Sequence, residues 1–245
     1  MTSDTYTKEQ EKLNELVKDY DDFSFDKLMR AYMKRELMPF LPAGKALEIG
    51  CMHGEFTEIL CDLYQDVTVV EAANGFIETA RSRVGKRAKF VNALIESYQT
   101  DERYDAIFLI HVMEHLIDPV QVLNTAKNFL TENGRLFLIV PNGNAPSRQI
   151  AVKMNIISTL SSLTKADIKH GHRRVYFLDN LQREAKDAGL NVIHSGGIFF
   201  KALANFQYDG LMTGPYITPE YMEGCYQLGK EYPHLCASIY CICER

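Results

Sequence analysis

Lys45-Ala-Leu-Glu-Ile-Gly-Cys-Met-His-Gly-Glu-Phe56, followed by Val69-Val-Glu71-Ala72, decides the fold of this chain. It reads as strand, glycine turn, helix, strand and acidic residue, the layout of a nucleoside-binding crevice at the first crossover of an α/β sheet. Glycines let backbone approach a ligand closely. An acidic residue at the tip of the next strand can accept hydrogen bonds from both ribose hydroxyls. Bonds of that charge-assisted kind are worth roughly 1.5–3 kcal/mol each, enough to favour a ribose over a ligand without vicinal hydroxyls.

Outward from this stretch the alternation of strand and helix continues. Strands are expected at Ala46–Ile49, Val67–Glu71, Ala88–Val91, Ala106–Ile110, Arg135–Val140, Asn191–Phe200 and Ala237–Cys243. The first intervening helix places Phe56, Ile59, Leu60 and Leu63 on one face. The second, Phe76–Val84, ends at Gly85. Asp118-Pro119 is an N-cap followed by proline at the first helical position, and that helix is expected to run to Leu130 and stop at Asn133-Gly134. Asp179 is expected to cap Asn180–Ala188, with Gly189 as its stop. Before the sheet, Leu13, Leu16 and Val17, then Phe25, Leu28, Met29, Tyr32, Met33 and Leu37 carry helical spacing, interrupted at residues 19–24 and stopped by Pro39 and Pro42. Two irregular insertions, 143–176 and 201–234, follow the fifth and sixth strands. The crevice of an open α/β sheet lies at the carboxyl ends of its strands, so these insertions are expected to roof it.

At 245 residues with a net charge of −5, the chain suits one large α/β domain. An acidic balance argues against a nucleic-acid or anionic-membrane partner. No apolar run approaches ~18 residues, and the first ten residues lack the profile of a signal peptide. The six cysteines form no Cys-x-x-Cys pair and read as buried reduced thiols, with Cys241 and Cys243 on one strand face; the expected compartment is the cytoplasm.

Five ordered segments together resemble the class I S-adenosylmethionine (SAM)-dependent methyltransferases: Leu47-Glu48-Ile-Gly50-Cys-Met-His-Gly54, Val70-Glu71-Ala72, Tyr104-Asp105-Ala-Ile-Phe, His111-Val-Met-Glu114-His115-Leu-Ile-Asp-Pro119, and Gly134-Arg-Leu-Phe-Leu-Ile-Val-Pro141-Asn142. The resemblance implies a Rossmann-like seven-stranded mixed sheet, α/β in class, with helices on both faces and the last strand antiparallel. It divides 1–245 into an N-terminal helical cap (1–42), a SAM-binding core (43–142) and acceptor-site insertions (143–176 and 201–234). By motif position, Gly50 and Gly54 would flank the methionine part of SAM with Cys51 beside them. Glu71 would hold the ribose, and Ala72, Ala93 and Leu94 would contact the adenine. Ile110 and His111 would face the methyl donor. Glu48 either organises the glycine loop or touches ligand. The family usually has glycine where this chain has Met52. A dinucleotide dehydrogenase would need glycine there for its pyrophosphate, which SAM lacks.

His111-x-x-Glu114-His115 would share one face if helical, and His170 and His172 follow in Lys169-His-Gly-His-Arg-Arg174. Small-RNA 2′-O-methyltransferases have a similar Glu-x-x-Glu-His with a later histidine, and ubiquinone-pathway O-methyltransferases are similar around the Glu-His pair. That similarity implies a divalent cation that helps ionise an acceptor hydroxyl, here held by His111, Glu114, His115 and His172. His111, His115 and His172 are also the candidate proton-handling residues; in the plainest reading His115 caps or packs and Glu114 bonds to backbone. An inverted zinc-peptidase motif has the same letters but needs a long helix, which the preceding strand and Asp118-Pro119 deny it. Lys169, Arg173 and Arg174, with Arg148 and Lys153, hint at an acidic or phosphorylated acceptor. Tyr176, Phe199, Phe200, Phe206 and Tyr208 are expected to pack the core or lid, and one or two to wall the acceptor site.

The function expected is methyl transfer to a small molecule, at oxygen rather than nitrogen. A nucleotide-dependent oxidoreductase or epimerase, and a non-catalytic SAM-binding protein, are the alternatives. The aromatic-rich 198–235 stretch is a candidate surface for a homodimer.

Overall fold

The computed structural model of the chain describes residues 3–17 and 24–245. The interruption expected at 19–24 lies, Ser24 apart, outside them, as do Met1 and Thr2 and the Leu16 side chain. Two helices precede the sheet, α1 (Ser3–Leu16) and α2 (Ser24–Leu37). The Asp209 carboxylate accepts from the first two backbone N–H groups of α2, Ser24 and Phe25, at 2.9 and 2.8 Å. A short 3-10 turn containing Pro39 ends that helix.

Next come β1 (Lys45–Ile49), α3 (Glu55–Leu63), β2 (Asp66–Glu71), α4 (Asn74–Val84), β3 (Lys89–Asn92), β4 (Tyr104–Ile110), α5 (Pro119–Asn128) and β5 (Leu130–Pro141). The remainder is α6 (Pro146–Lys153), α7 (Lys165–Lys169), α8 (Leu178–Asp187), β6 (Asn191–Phe200), α9 (Asn205–Met212), α10 (Pro219–Glu231) and β7 (Cys236–Glu244). Seven strands form one sheet in the order β3-β2-β1-β4-β5-β7-β6. β1 to β5 are parallel, and β7 runs antiparallel between β5 and β6.

Alternation along the strands divides the core into two layers. Leu47, Ile49, Ile107, Leu109, Leu136 and Leu138 pack under α5 and α8. Ala46, Val67, Val69, Phe108, Phe137 and Ile242 face α2, α3 and α10. With both faces covered, the parallel strands read as continuous apolar runs. All six cysteines are free, and five are buried, Cys241 and Cys243 in one layer.

Several boundaries shift by a residue or two, and those of α5, β5 and α8 shift for a visible reason. α5 stops at Asn128, and β5 begins at Leu130 rather than Arg135, because Leu130 pairs with Tyr104 across a register shift. Asn133-Gly134 therefore lies inside the strand. Asp179 does not cap α8: Leu178 already belongs to the helix, and Asn180 Oδ1 accepts from the Phe177 N–H at 2.7 Å. Thr218-Pro219 starts α10 with the cap-and-proline pair seen at Asp118-Pro119, and Thr218 Oγ1 accepts from the Tyr221 N–H.

Gly197 in β6 is a close-approach glycine. A Cβ there would lie 2.0 Å from the Pro233 carbonyl oxygen and 2.7 Å from Cys236 Sγ. A backbone oxygen cannot swing aside, so Gly197→Ala is expected to cost about 2 kcal/mol or more, read as a thermal midpoint lower by roughly 5 °C. An unchanged midpoint would show that the β6–β7 edge yields freely.

Candidate active site

A cavity of about 1090 Å³ opens at the carboxyl ends of β1, β2 and β4. Pockets of roughly 300–1,000 Å³ accommodate one drug-sized ligand, so this one has room for two reactants side by side. Its walls include Gly50, Cys51, Glu71, Ala72, Ala93, Leu94, Ile110 and His111. Glu48 lines it too. Gly54 does not. A Cβ on Gly54 would lie 2.8 Å from the Ala80 backbone, so that glycine, at φ +82°, seats α3 against α4. Gly50, at φ +75°, makes the turn itself, and its N–H donates to the Val70 carbonyl at 2.8 Å.

β1 and β2 run in register, Ile49 beside Val70, which brings Glu71 across from the turn. Its carboxylate accepts from the Cys51 N–H at 2.9 Å and the Ala73 N–H at 2.8 Å. Burial raises its pKa, while these backbone donors pull the other way. A carboxylate has about four acceptor sites, so capacity is left for a ligand hydroxyl. Glu48, just before the turn, accepts from Thr57 Oγ1 at 2.5 Å. Burial pushes its pKa up to about 8, so it is largely protonated at neutral pH. Glu48 thus ties β1 to α3 and also lines the cavity.

α1 crosses the cleft beside Ala72 and Asn92. Gln10 Nε2 donates to the Ala72 carbonyl at 3.1 Å and reaches Asn92 Oδ1 at 3.3 Å. Glu9 pairs with Arg173 at 2.6 Å, and both Glu9 and Leu13 line the cavity.

His111–His115 is not helical; the segment after β4 is a turn in which the His115 N–H donates to the Val112 carbonyl at 2.9 Å. The face expected of a helix is therefore absent, and the tertiary fold selects the partners. Possible ligand atoms of Glu114, His115 and His172 all lie within 4.8 Å of one another. His111 stands apart from that group: at φ +56° it turns its Nε2 to Ser238 Oγ at 3.0 Å. Both Glu114 carboxylate oxygens are buried without a hydrogen-bond partner. Burial raises Glu114 to about 7, and lowers His115 to about 3 and His111 well below its ordinary value. For His172 burial acts downward, but Asp167 and Glu114 outweigh it and the pKa rises. His172 Nδ1 sits 3.3 Å from Asp167 Oδ1, and His115 is hydrogen-bonded to the Gly171 backbone. Each imidazole is thus oriented from outside by a second group, the habit of metal-ligating histidines.

The basic residues around this group have other work. Arg174 donates to the Met113, Leu116 and Ile117 carbonyls, and Arg173 to the His115 carbonyl. These carbonyls belong to a turn that cannot satisfy them itself. Arg148 donates to the Leu160 and Ser162 carbonyls and pairs with Asp167 at 3.2 Å. The arginines that hinted at an acidic acceptor are committed to holding loops in place. Among the aromatics, Tyr176, Phe199 and Tyr208 are core, while Phe206 lines the cavity and is 67% exposed. Two further cavity residues, Arg30 on α2 and Lys201 after β6, carry no motif and went unseen in the sequence.

No helix among the described residues is long and apolar enough to cross a membrane. A family model described as a methyltransferase domain matches residues 25–195. Nodulation protein S of Bradyrhizobium diazoefficiens is 33% identical over 113 residues, covering 45% of this chain and 54% of that protein. A ubiquinone biosynthesis O-methyltransferase of Dinoroseobacter shibae is 27% identical over 167 residues, 65% of each chain. The chain thus spans between half and two thirds of the length of these relatives. Among solved structures, the N-methyltransferase NodS of Bradyrhizobium japonicum bound to S-adenosyl-L-homocysteine superposes with a TM-score of 0.59 at 14% identity, covering 96% of this chain and 97% of that one. A SAM-dependent methyltransferase of Thermotoga maritima, a possible histamine N-methyltransferase, gives 0.60 at 18% identity, over 89% and 91%. With the family model covering well over half of the sequence, and the sheet order and glycine-turn crevice in agreement with it, the chain belongs to the class I S-adenosylmethionine-dependent methyltransferases.

Proposed function

We propose that this protein transfers a methyl group from SAM to a hydroxyl oxygen of a small-molecule acceptor, with a divalent cation held by Glu114, His115 and His172. The observation that carries the reading is the Glu114 carboxylate, fully buried with neither oxygen hydrogen-bonded and two histidines beside it. An unpaired buried charge is costly, and a cation is the partner that such a donor set fits. SAM supplies a methyl group already activated on a sulfonium. The protein's own work is to seat both reactants and dispose of the acceptor's proton.

Glu71, with the Gly50-Cys51 turn, fits the ribose and methionine portions of SAM, and Ala72, Ala93 and Leu94 fit the adenine. Alignment of two reactants in one enclosed space can contribute ~7–11 kcal/mol. A hydroxyl must lose its proton to attack, and a bound cation lowers the pKa of an oxygen that it touches. His111 faces the same cavity as a neutral imidazole, able to accept that proton. An amine acceptor would need no such cation.

The test is incubation of the purified protein with SAM and a metabolite extract, with and without a chelator. The expected product is heavier by one methylene, oxygen-linked by fragmentation, and lost on chelation. A nitrogen-linked product, unaffected by chelator, would overturn the reading.

A further inference from the structure

We propose that Asp167 is a positioning residue that joins the Glu114, His115 and His172 group to the cavity wall built by the insertion after β5, so that a bound cation stiffens that wall. The proposal rests on the cation reading above and adds a regulation of the same site.

The insertion supplies one of the three donors and the groups that aim two of them. Asp167, on α7, presents Oδ1 to His172 Nδ1 at 3.3 Å. An ionised carboxylate only accepts, so the imidazole proton belongs on Nδ1 and the lone pair on Nε2. Nε2 is then the ring nitrogen left for a cation. The His172 N–H donates to the Asp167 carbonyl at 2.8 Å, so backbone and side chain of Asp167 both hold that residue. The backbone of Gly171, between them, holds His115. The second Asp167 oxygen is committed elsewhere. Oδ2 accepts from the Thr164 N–H at 2.7 Å and from Arg148 Nη1 at 3.2 Å.

Arg148 carries the connection onward. It stands on α6, and besides Asp167 it donates to the Leu160 and Ser162 carbonyls. One guanidinium thus ties α6 and the segment around 160–162 to α7. Ile150, Ala151, Met154, Ile157 and Leu163, on or between these pieces, line the cavity. Residues 154–163 have no helix or strand of their own, and Met154 and Ile156 are 62% and 64% exposed. A segment so built opens at low cost, and its shape depends on the few groups that anchor it. A cation that draws Glu114, His115 and His172 together restrains α7 through His172. Asp167 and Arg148 pass the restraint to 158–163. Ordering a loose segment is a free energy shared by both sites, and the effect is reciprocal: an occupant that orders the wall tightens the cation site. Lys201 also feels the Asp167 charge, so a substitution at Arg148 is needed to isolate the route.

The experiment measures amide hydrogen exchange of the full chain in chelator and in saturating magnesium, manganese or zinc, beside calorimetric titration of each metal. In the wild type, exchange at 158–163 is expected to slow by about fivefold or more when metal binds, the low end of ordinary coupling between sites. Asp167→Asn should weaken the metal by about tenfold or more, as loss of an outer partner of a ligating histidine does, and should abolish the slowing. Arg148→Met should keep metal affinity within about threefold yet lose the slowing at 158–163, because it cuts the route beyond His172. S-adenosylhomocysteine affinity and melting temperature, measured on the same samples, report whether each variant is folded. Asp167→Asn binding metal as tightly as wild type would overturn the positioning role. Wild-type protein that binds metal without slowing at 158–163 would overturn the coupling, and slowing that persists in Arg148→Met would remove Arg148 from the route. If the wild type bound none of the three metals, the cation reading itself would fall, and this inference with it.

Discussion

Replacing Glu71 with alanine is expected to weaken S-adenosylhomocysteine binding by at least about tenfold and to lower the melting temperature as well. Two losses combine. The ribose hydroxyls lose a charged acceptor worth roughly 1.5–3 kcal/mol per bond, and the Cys51 and Ala73 N–H groups lose the oxygen that satisfies them. An orphaned buried donor costs about 1–3 kcal/mol, so the glycine turn itself loosens. Calorimetric titration below the melting temperature of the variant separates the effects. Unchanged affinity in the folded variant would contradict the placement of the nucleoside against β2.

Glu114→Gln is expected to abolish divalent-cation binding and to lower turnover by about a hundredfold or more, since both oxygen-to-cation attraction and hydroxyl ionisation go with the charge. Its effect on the metal-free protein runs the other way. Glu114 has a folded pKa of about 7, above its ordinary 4.5, so its favourable contribution is complete below the unfolded value and is lost as pH rises through about 7. That difference is on the order of 3 kcal/mol. Chelated wild-type protein should therefore lose stability as pH rises from 4.5 to about 7, and Glu114→Gln should lose less. With cation present the wild-type trend should invert, because only the ionised carboxylate is a ligand and affinity rises through the same pH window. Thermal melts across pH, with and without magnesium, manganese or zinc, provide the measurement. Identical pH profiles for the two proteins in chelator would exclude an unpaired Glu114.

Most of the sheet was legible because each strand is bounded by local signals. The β6 range is as expected, and β1 to β4 and β7 differ by no more than two residues at either end. Where a boundary depends on a distant partner, local reading failed: β5 extends back to Leu130 only because Tyr104 offers it a neighbour. The same division holds in the site. Glu71 and Gly50 were readable because a left-handed turn and the acceptor for its N–H groups demand those residue types at one spacing. Gly54 packs against Ala80, and a glycine needed for that contact looks identical, in sequence, to one needed by a ligand. His111, Glu114, His115 and His172 were expected as one group; Glu114, His115 and His172 do come together, across a turn and not along a helix, while His111 turns away to Ser238. Arg30 and Lys201 carry no local pattern; only the closing of α2 over the end of β6 brings them to one cavity.

The place of β7 has a consequence for how the molecule is born. Among the described residues β6 has no neighbour in the sheet except β7, and β7 is the later of the two to be synthesised. While residues 236–244 remain inside the ribosomal tunnel, β6 has no ladder to join and β5 presents an open margin to other nascent chains. Closure of the sheet must wait for translation to pass this point, a late, long-range step of the kind that slows folding. Aggregation of nascent chains should therefore concentrate in that interval.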